Sequence, residues 1–298
     1  CYHIATEHFN TCCTVNPRVY RENRVPLTLP RAQTARSVVV VGGGPAGLKA
    51  ALTAAQRGHQ VTLVEQSGAL GGLMIPASVG AFKEDLRRYL SYLRRQVEKS
   101  QIHVMLHTRA DRALLEHLHP DAVILAVGGR AVMPPVPGLG TSGAVQAVAL
   151  LNAGLETAGT HVTILGGGSI GCELALELAA LDRMVTVVEL RDKLAANGNE
   201  LYRQDLMLHL EQETRITILT QTVCTGVTAQ GCTVREKDGG TRVIPHDTFV
   251  IAAGLRADAD AVEALYGVVP ETYYVGDCKR AASITEATTE AYFLGASL

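Results

Sequence analysis

Two stretches of this 298-residue chain follow one plan. Residues 37–65 read SVVVVGGGPAGLKAALTAAQRGHQVTLVE, and residues 161–189 read HVTILGGGSIGCELALELAALDRMVTVVE. Each is an apolar run, a glycine turn, a stretch of small residues at helical spacing, and a second apolar run ending in glutamate (Glu65, Glu189). Runs such as Val38–Val41 and Val61–Val64 are continuously apolar, as parallel strands covered on both faces must be. The chain is therefore read as α/β, with two Rossmann-like βαβ dinucleotide-binding units.

The glycines carry the chemistry. In Gly42-x-Gly44-x-x-Gly47, which encloses Pro45 and Ala46, the first glycine permits a tight turn and the second admits a pyrophosphate. The third lets the helix close on the strand. Phosphates then sit at a helix N-terminus, where free N–H groups point at them. Glu65, followed by Gln66, closes the next strand, where a carboxylate accepts ribose hydroxyls. Gly166-x-Gly168-x-x-Gly171, with Ser169, Ile170 and Glu189, repeats this reading. Two such units call for two dinucleotides, most economically one flavin that stays bound and one nicotinamide that exchanges. Glu189 favours NADH over NADPH, since a carboxylate repels a 2′-phosphate. Arg191 is read first as a solvated loop charge and second as a receptor for that phosphate.

Further strands are expected at Ile102–Leu106 and Ala122–Ala126, with a crossover helix over Phe82–Val97. In the second half they are expected near Ile216–Leu219, Val223–Val227, Cys232–Glu236 and Thr248–Ala252. A last strand, Thr272–Val275, precedes a terminal helix from about Ile284. Proline-rich Val132–Pro137 is read as a linker. Residues 1–36 show no periodicity and are read as an extension lying on another domain.

Composition excludes several classes. Lys plus Arg total 27 and Asp plus Glu 29, so no charge excess points to nucleic acid or an anionic membrane surface. No apolar run reaches the ~18 residues of a membrane span, and no secretory leader is visible. Seven cysteines are too sparse for a disulfide scaffold, so a reducing, cytoplasmic setting is expected. The first residue is Cys1 rather than Met, and the chain is expected to be processed or a piece of something longer.

Tyr274-Val275-Gly276-Asp277, followed by the terminal helix that holds Thr285, resembles the second FAD motif of the two-dinucleotide-domain flavoprotein oxidoreductases. In that motif the aspartate bonds the ribitol and the helix N-terminus faces the flavin. Leu70-Gly71-Gly72 (with Leu73), Ala126-Val127-Gly128-Gly129 and Ala252-Ala253-Gly254 fit the same superfamily. Cys13-Thr14-Val15-Asn16-Pro17 narrows the likeness. It is similar to a stretch of the 2,4-dienoyl-CoA reductase, enoate reductase and trimethylamine dehydrogenase family, and the likeness covers nearly the whole chain. The resemblance implies four segments: 1–36 from a cluster-binding loop, 37–146 the first part of an FAD domain, 147–263 an inserted NAD(P) domain, and 264–298 the end of the FAD domain. It implies FAD and NADH here, and an FMN-bearing TIM barrel with a [4Fe-4S] cluster in a longer or assembled protein. The eleven residues between Cys1 and Cys13 match the spacing of two cluster ligands. Two thiolates do not hold a cubane.

Remaining candidates carry less. No Cys-x-x-Cys or Cys-x4-Cys lies near the first unit's turn, which excludes a thioredoxin-reductase-type redox disulfide. Cys12, Cys172, Cys224, Cys232 and Cys278 are read as packing or bystander thiols. His103, His107, His117 and His119 lack metal-ligand spacing. Arg87, Arg88, Arg94 and Arg95 are read as a solvated basic face, or else a docking surface. The function expected is transfer of electrons from a nicotinamide through FAD towards an iron–sulfur and FMN half, with no catalytic side chain required. Two alternatives stand beside it: a stand-alone NADH-dependent ferredoxin or quinone reductase, and a non-catalytic nucleotide-binding subunit.

Overall fold

The computed structural model describes residues 12–196 and 198–298, so Cys1 lies outside the described residues. Both copies of the repeat fold as βαβ units. The first runs β1 (Ser37–Val41), α1 (Pro45–Gln56) and β2 (Gln60–Val64), then α2 (Met74–Ala77), α3 (Glu84–Glu98), β3 (His103–Met105), α4 (Arg112–Leu118) and β4 (Ala122–Leu125). After β5 (Gly129–Ala131) come β6 (Val145–Gln146), α5 (Ala147–Ala153), β7 (His161–Leu165), α6 (Ser169–Ala180), β8 (Met184–Val188), α7 (Glu200–Gln212) and β9 (Ile216–Leu219). An antiparallel trio, β10 (Val223–Val227), β11 (Gly231–Arg235) and β12 (Thr241–Pro245), leads to β13 (Thr248–Ile251). The chain closes with β14 (Leu255–Ala257), α8 (Ala259–Leu265), β15 (Thr272–Tyr274) and α9 (Ile284–Ser297).

The first sheet has the order β15-β4-β1-β2-β3 and the second β6-β13-β7-β8-β9, with every neighbouring pair parallel. Since β15 rejoins the first sheet after the second is complete, the second unit is inserted in the first. The chain leaves through β5 and returns through β14, which pair antiparallel. The sequence showed neither strand, because Gly129–Ala131 and Leu255–Ala257 are short and each centres on an arginine rather than an apolar run.

The unit boundaries differ slightly from those expected. Val145 and Gln146 pair with β13, so the second sheet begins before residue 147. Val262 and Leu265 pack with Val39, Val123 and Leu115, so the return to the first unit precedes residue 264. The crossover begins later than Phe82, at Glu84, with α2 ahead of it.

Small residues set the packing around the first turn. Helix α1 buries Ala46, Gly47, Leu48 and the run from Ala50 to Ala54, so it is covered on nearly every side. Helix α9 lies on it so closely that a Cβ on Gly295 would stand 2.9 Å from Ala50 O. Leu48 is fully buried, and its truncation to Ala should cost about 2–5 kcal/mol.

The domain on which the extension lies is the first unit, where contacts from Thr14 to Ala32 hold its described residues. The Thr14 carbonyl accepts from Tyr89 Oη on α3 (3.0 Å) and from Thr288 Oγ1 on α9 (2.9 Å). Lys49 Nζ on α1 donates to Val15 O at 3.4 Å, and burial lowers the Lys49 pKa.

Candidate functional site

Each strand-to-helix turn is fixed by backbone contact that glycine alone allows. Gly42 has φ +104°, and a Cβ there would lie 2.3 Å from Ala126 O; a Cβ on Gly47 would lie 1.8 Å from Gly42 O. The second turn repeats this, with 2.4 Å from Gly166 to Ala252 O and 2.0 Å from Gly171 to Gly166 O. The middle glycines differ. Gly44 and Gly168 adopt ordinary extended backbone (φ −73° and −68°), and a Cβ on either would meet nothing within 4 Å. The fold explains the first and third glycines but not the second, whose missing side chain leaves room at a helix N-terminus. Such room, beside unpaired N–H groups, fits a pyrophosphate.

The two glutamates stand where the repeat placed them, and the structure gives them a further task. Glu65 Oε2 accepts from Gly43 N at 2.6 Å and Oε1 from Ser67 N at 2.7 Å, with the residue buried. Glu189 accepts from Gly167 N at 2.6 Å and from Arg191 N at 2.8 Å. Each carboxylate therefore staples its glycine turn to the loop after the second strand, and each oxygen keeps a lone pair for a ribose hydroxyl. Amide bonds to a carboxylate are about twice as strong as neutral ones.

A cavity of about 1060 Å³ opens at the carboxyl ends of the first sheet's strands. Its walls include Gly42, Gly44, Pro45, Ala46, Glu65 and Gln66. Gly72, Leu73, Ala126 and Gly128 join them, and Asp277 closes the far side. Gly71 N donates to Gly43 O at 2.7 Å, which lays the Leu70–Gly72 turn across the phosphate turn. Gly276 comes within reach because β15 pairs with β4, and a Cβ on it would stand 2.9 Å from Ala46 Cβ. Asp277 Oδ1 accepts from Ala282 N at 3.2 Å, and burial raises the Asp277 pKa. A capping box between Ser283 and Glu286 starts α9 at the cavity wall, where Ser283, Ile284 and Ala287 line it. Thr285 does not line the cavity; its hydroxyl is hydrogen-bonded to that of Thr14.

The second turn is more open. Gly168, Glu189 and Arg191 lie outside the large cavity, and the Arg191 side chain is exposed. A small recess of about 20 Å³ lies beside Gly254, Ala252 and Gln146 at the end of the second sheet. Val148, Ile170 and Leu255 line both spaces, so the clefts of the two units meet there.

Several side chains acquire roles that sequence spacing did not suggest. Arg94 Nε donates to Leu70 O at 2.8 Å and anchors the turn on the phosphate loop. Arg87 Nη1 donates to Ser78 O at 2.9 Å and Gly80 O at 2.6 Å. Half of the expected basic face therefore ties down backbone next to the cavity wall, at Leu70, Ser78 and Gly80, which corrects both the solvated reading and the docking reading for these two residues. Periodicity placed them on one helix face, but carbonyl partners carry no sequence signal.

The cysteines among the described residues take no part in the cavity wall. Burial pushes the Cys172 thiol up to about 12, and the buried Cys278 Sγ donates to Val275 O and Leu125 O. Cys224 and Cys232 are buried in the second unit's antiparallel sheet. Cys13 is a half-buried free thiol that accepts from Asn16 N at 3.4 Å. Among the described residues no cluster of His, Cys, Asp or Glu could hold a metal. Nor is any helix among them long and apolar enough to cross a membrane.

Residues 36–291 match the family model for pyridine nucleotide-disulphide oxidoreductases. The chain is 34% identical over 290 residues to the bilirubin reductase of Mediterraneibacter gnavus, covering 97% of this chain and 44% of that one. It is 35% identical over 247 residues to the NADH oxidase of Thermoanaerobacter brockii, covering 81% and 37% respectively. The solved structure of a 2-naphthoyl-CoA reductase in complex with 2-naphthoyl-CoA superposes with a TM-score of 0.94 at 26% identity, over 100% of this chain and 45% of that one. The chain thus spans less than half the length of these relatives.

Proposed function

The chain belongs to the pyridine nucleotide-disulphide oxidoreductase family, and from that premise we propose that it is an NADH-oxidising FAD module of a larger reductase. FAD is assigned to the first unit and the nicotinamide to the inserted second unit. The observation that carries this reading is the middle glycine of each turn, whose open space no contact within the chain requires. The reading also rests on reductases and an NADH oxidase among the relatives, in line with the family likeness read from the motifs.

FAD held in the large cavity would supply a hydride acceptor for the nicotinamide and a store from which electrons leave. The chain's own contribution is placement. Gly42, Gly44 and Gly47 give the pyrophosphate its seat, with Pro45 and Ala46 forming the helix start behind it. Glu65 holds the turn and takes a ribose hydroxyl. Gly71 and Gly72 pin the turn from above, Asp277 binds the ribitol, and the start of α9 faces the flavin edge. On the second unit Gly166, Gly168, Ser169, Ile170 and Gly171 seat the nicotinamide dinucleotide, Glu189 takes its ribose, and Gly254 flanks the ring end. Ile170 and Leu255 give the space where the two clefts meet an apolar lining. Hydride transfer between the two rings needs alignment rather than a proton donor.

The relatives' remaining length is where an FMN-bearing barrel is proposed as the onward partner. Among the described residues Cys12 and Cys13 are the only thiols of the extension, and no group of His, Cys, Asp or Glu could hold a metal; no step is assigned through a [4Fe-4S] cluster. Purified protein should be yellow, and anaerobic NADH should bleach it. A colourless preparation that gains no flavin on incubation with FAD would overturn the assignment and favour a non-catalytic nucleotide-binding subunit.

Asp277 gives a sharper test. Asp277→Ala removes a charge-assisted bond to the ribitol, worth roughly 1.5–3 kcal/mol, or about ten- to a hundredfold in FAD affinity. Asp277→Asn keeps a neutral hydrogen bond to a hydroxyl, so its FAD affinity should fall between those of the parent and the alanine variant. Titration of apoprotein with FAD reads both, and an alanine variant with parental affinity would sink the role.

A further inference from the structure

The segment Ser78–Lys83, between α2 and α3, crosses from the first unit to the second. Its back is fixed by the Arg87 bonds to Ser78 O and Gly80 O. Its front meets α6: Lys83 Nζ lies 2.7 Å from Glu173 Oε1, and Ala81 N donates to Glu177 Oε1 at 3.2 Å. Tyr202 Oη on α7 donates to the same Glu173 oxygen, and the Lys83 ammonium stands 5.9 Å from the Tyr202 ring centroid and 4.8 Å from that of Phe82. Lys83 and Glu173 side chains are only 18% and 21% exposed, against 36% or more for both partners in most of the other ion pairs among the described residues, so solvent screens this one less. Gly80 has φ +111°, and a Cβ there would meet Glu177 Oε1 at 2.5 Å, so the segment lies tight against α6.

The location gives the contact its consequence. Glu173 sits one helical turn beyond Ser169 and Ile170, the start of the second phosphate turn. Val79, Phe82 and Lys83 from the first unit and Glu173 and Glu177 from the second all line the large cavity. The covalent connections between the units run through the narrow β5–β14 pair, which leaves the angle between them to be set by side-chain contacts.

We infer that Glu173 is a positioning residue, which through Lys83 and Tyr202 clasps the segment Ser78–Lys83 and fixes how the second unit faces the first across their shared cavity. The clasp is independent of the cofactor assignment. Its effect on hydride delivery rests on the functional reading above, because a displacement of about 1 Å at a reacting pair costs on the order of a hundredfold in rate.

The test uses the flavin-loaded protein and three variants: Lys83→Met, Glu173→Gln and Glu177→Gln. Hydrogen exchange of the Ser78–Lys83 peptide should quicken at least about fivefold in each, Glu177→Gln acting directly on the Ala81 amide. Flavin content should stay parental. For Lys83→Met and Glu173→Gln, flavin reduction at saturating NADH should slow about tenfold or more with little change in NADH affinity. The reciprocal exchange Lys83→Glu with Glu173→Lys should recover part of both readouts. Parental exchange in all three variants overturns the clasp. Faster exchange with an unchanged reduction rate overturns the positioning role, and loss of flavin in place of rate overturns it too. If the parent protein is not reduced by NADH, the functional reading fails, while the exchange data still decide the clasp.

Discussion

Gly44→Val should yield a protein that folds and melts like its parent yet has lost flavin, whereas Gly47→Val should not fold stably at all. The two glycines lie in one turn, and their roles are opposite. A Cβ on Gly47 falls 1.8 Å from Gly42 O, a backbone atom that cannot swing aside. Overpacking of this kind costs typically about 1–3 kcal/mol, and more when backbone must move. Around Gly44 nothing lies within 4 Å of the Cβ position, and its φ of −73° suits any residue. Valine there projects into the cavity, where it should lower FAD affinity by roughly five- to 150-fold if it costs the ligand the same ~1–3 kcal/mol. Thermal melts of the apoproteins and FAD titration separate the cases. Undiminished flavin binding by Gly44→Val would show that the cavity beside Gly44 holds no phosphate.

NADH should reduce the flavin in preference to NADPH, by about five- to thirtyfold in nucleotide affinity. The Glu189 carboxylate is held at the end of β8 by Gly167 N and Arg191 N, so it cannot turn away from a 2′-phosphate. Repulsion in a partly shielded site amounts to at least ~1–2 kcal/mol. Glu189→Ala removes the repulsion and also releases both amides. NADH affinity should therefore fall further than NADPH affinity, which narrows the gap. The Arg191 side chain is exposed, and Arg191→Ala should barely alter NADH use. Stopped-flow reduction with each nucleotide measures all three proteins. A parental preference for NADPH would mean that Arg191 receives the phosphate and that Glu189 serves only the turn.

Both βαβ units, their glycine turns and the glutamates at the ends of β2 and β8 were legible in the chain itself. Each is a local pattern, in which buried strands lose alternation, turns need positive φ, and helix starts need small residues. The Gly276–Asp277 pair was legible as a motif, but its place in the cavity follows from β15 pairing with β4, across an entire inserted unit. The short pair β5–β14 left no trace, and the boundaries moved away from 146/147 and 263/264 because β6 pairs with β13 and α8 packs on the first unit.

What the sequence by itself determined is that two strand–glycine turn–helix units of the same design exist here, because their glycines and apolar runs answer to backbone geometry within about thirty residues. Only the tertiary structure decided what joins them. Arg94 reaches the Leu70 carbonyl, Arg87 holds the Ser78–Lys83 segment, and Lys83 meets Glu173 across the unit boundary. These partners are polar groups far apart in the chain or lone carbonyls with no side-chain identity. No periodicity selects them; the first two follow from how α3 packs within the first unit, and the Lys83–Glu173 pair from which surfaces the crossing at β5 and β14 brings face to face.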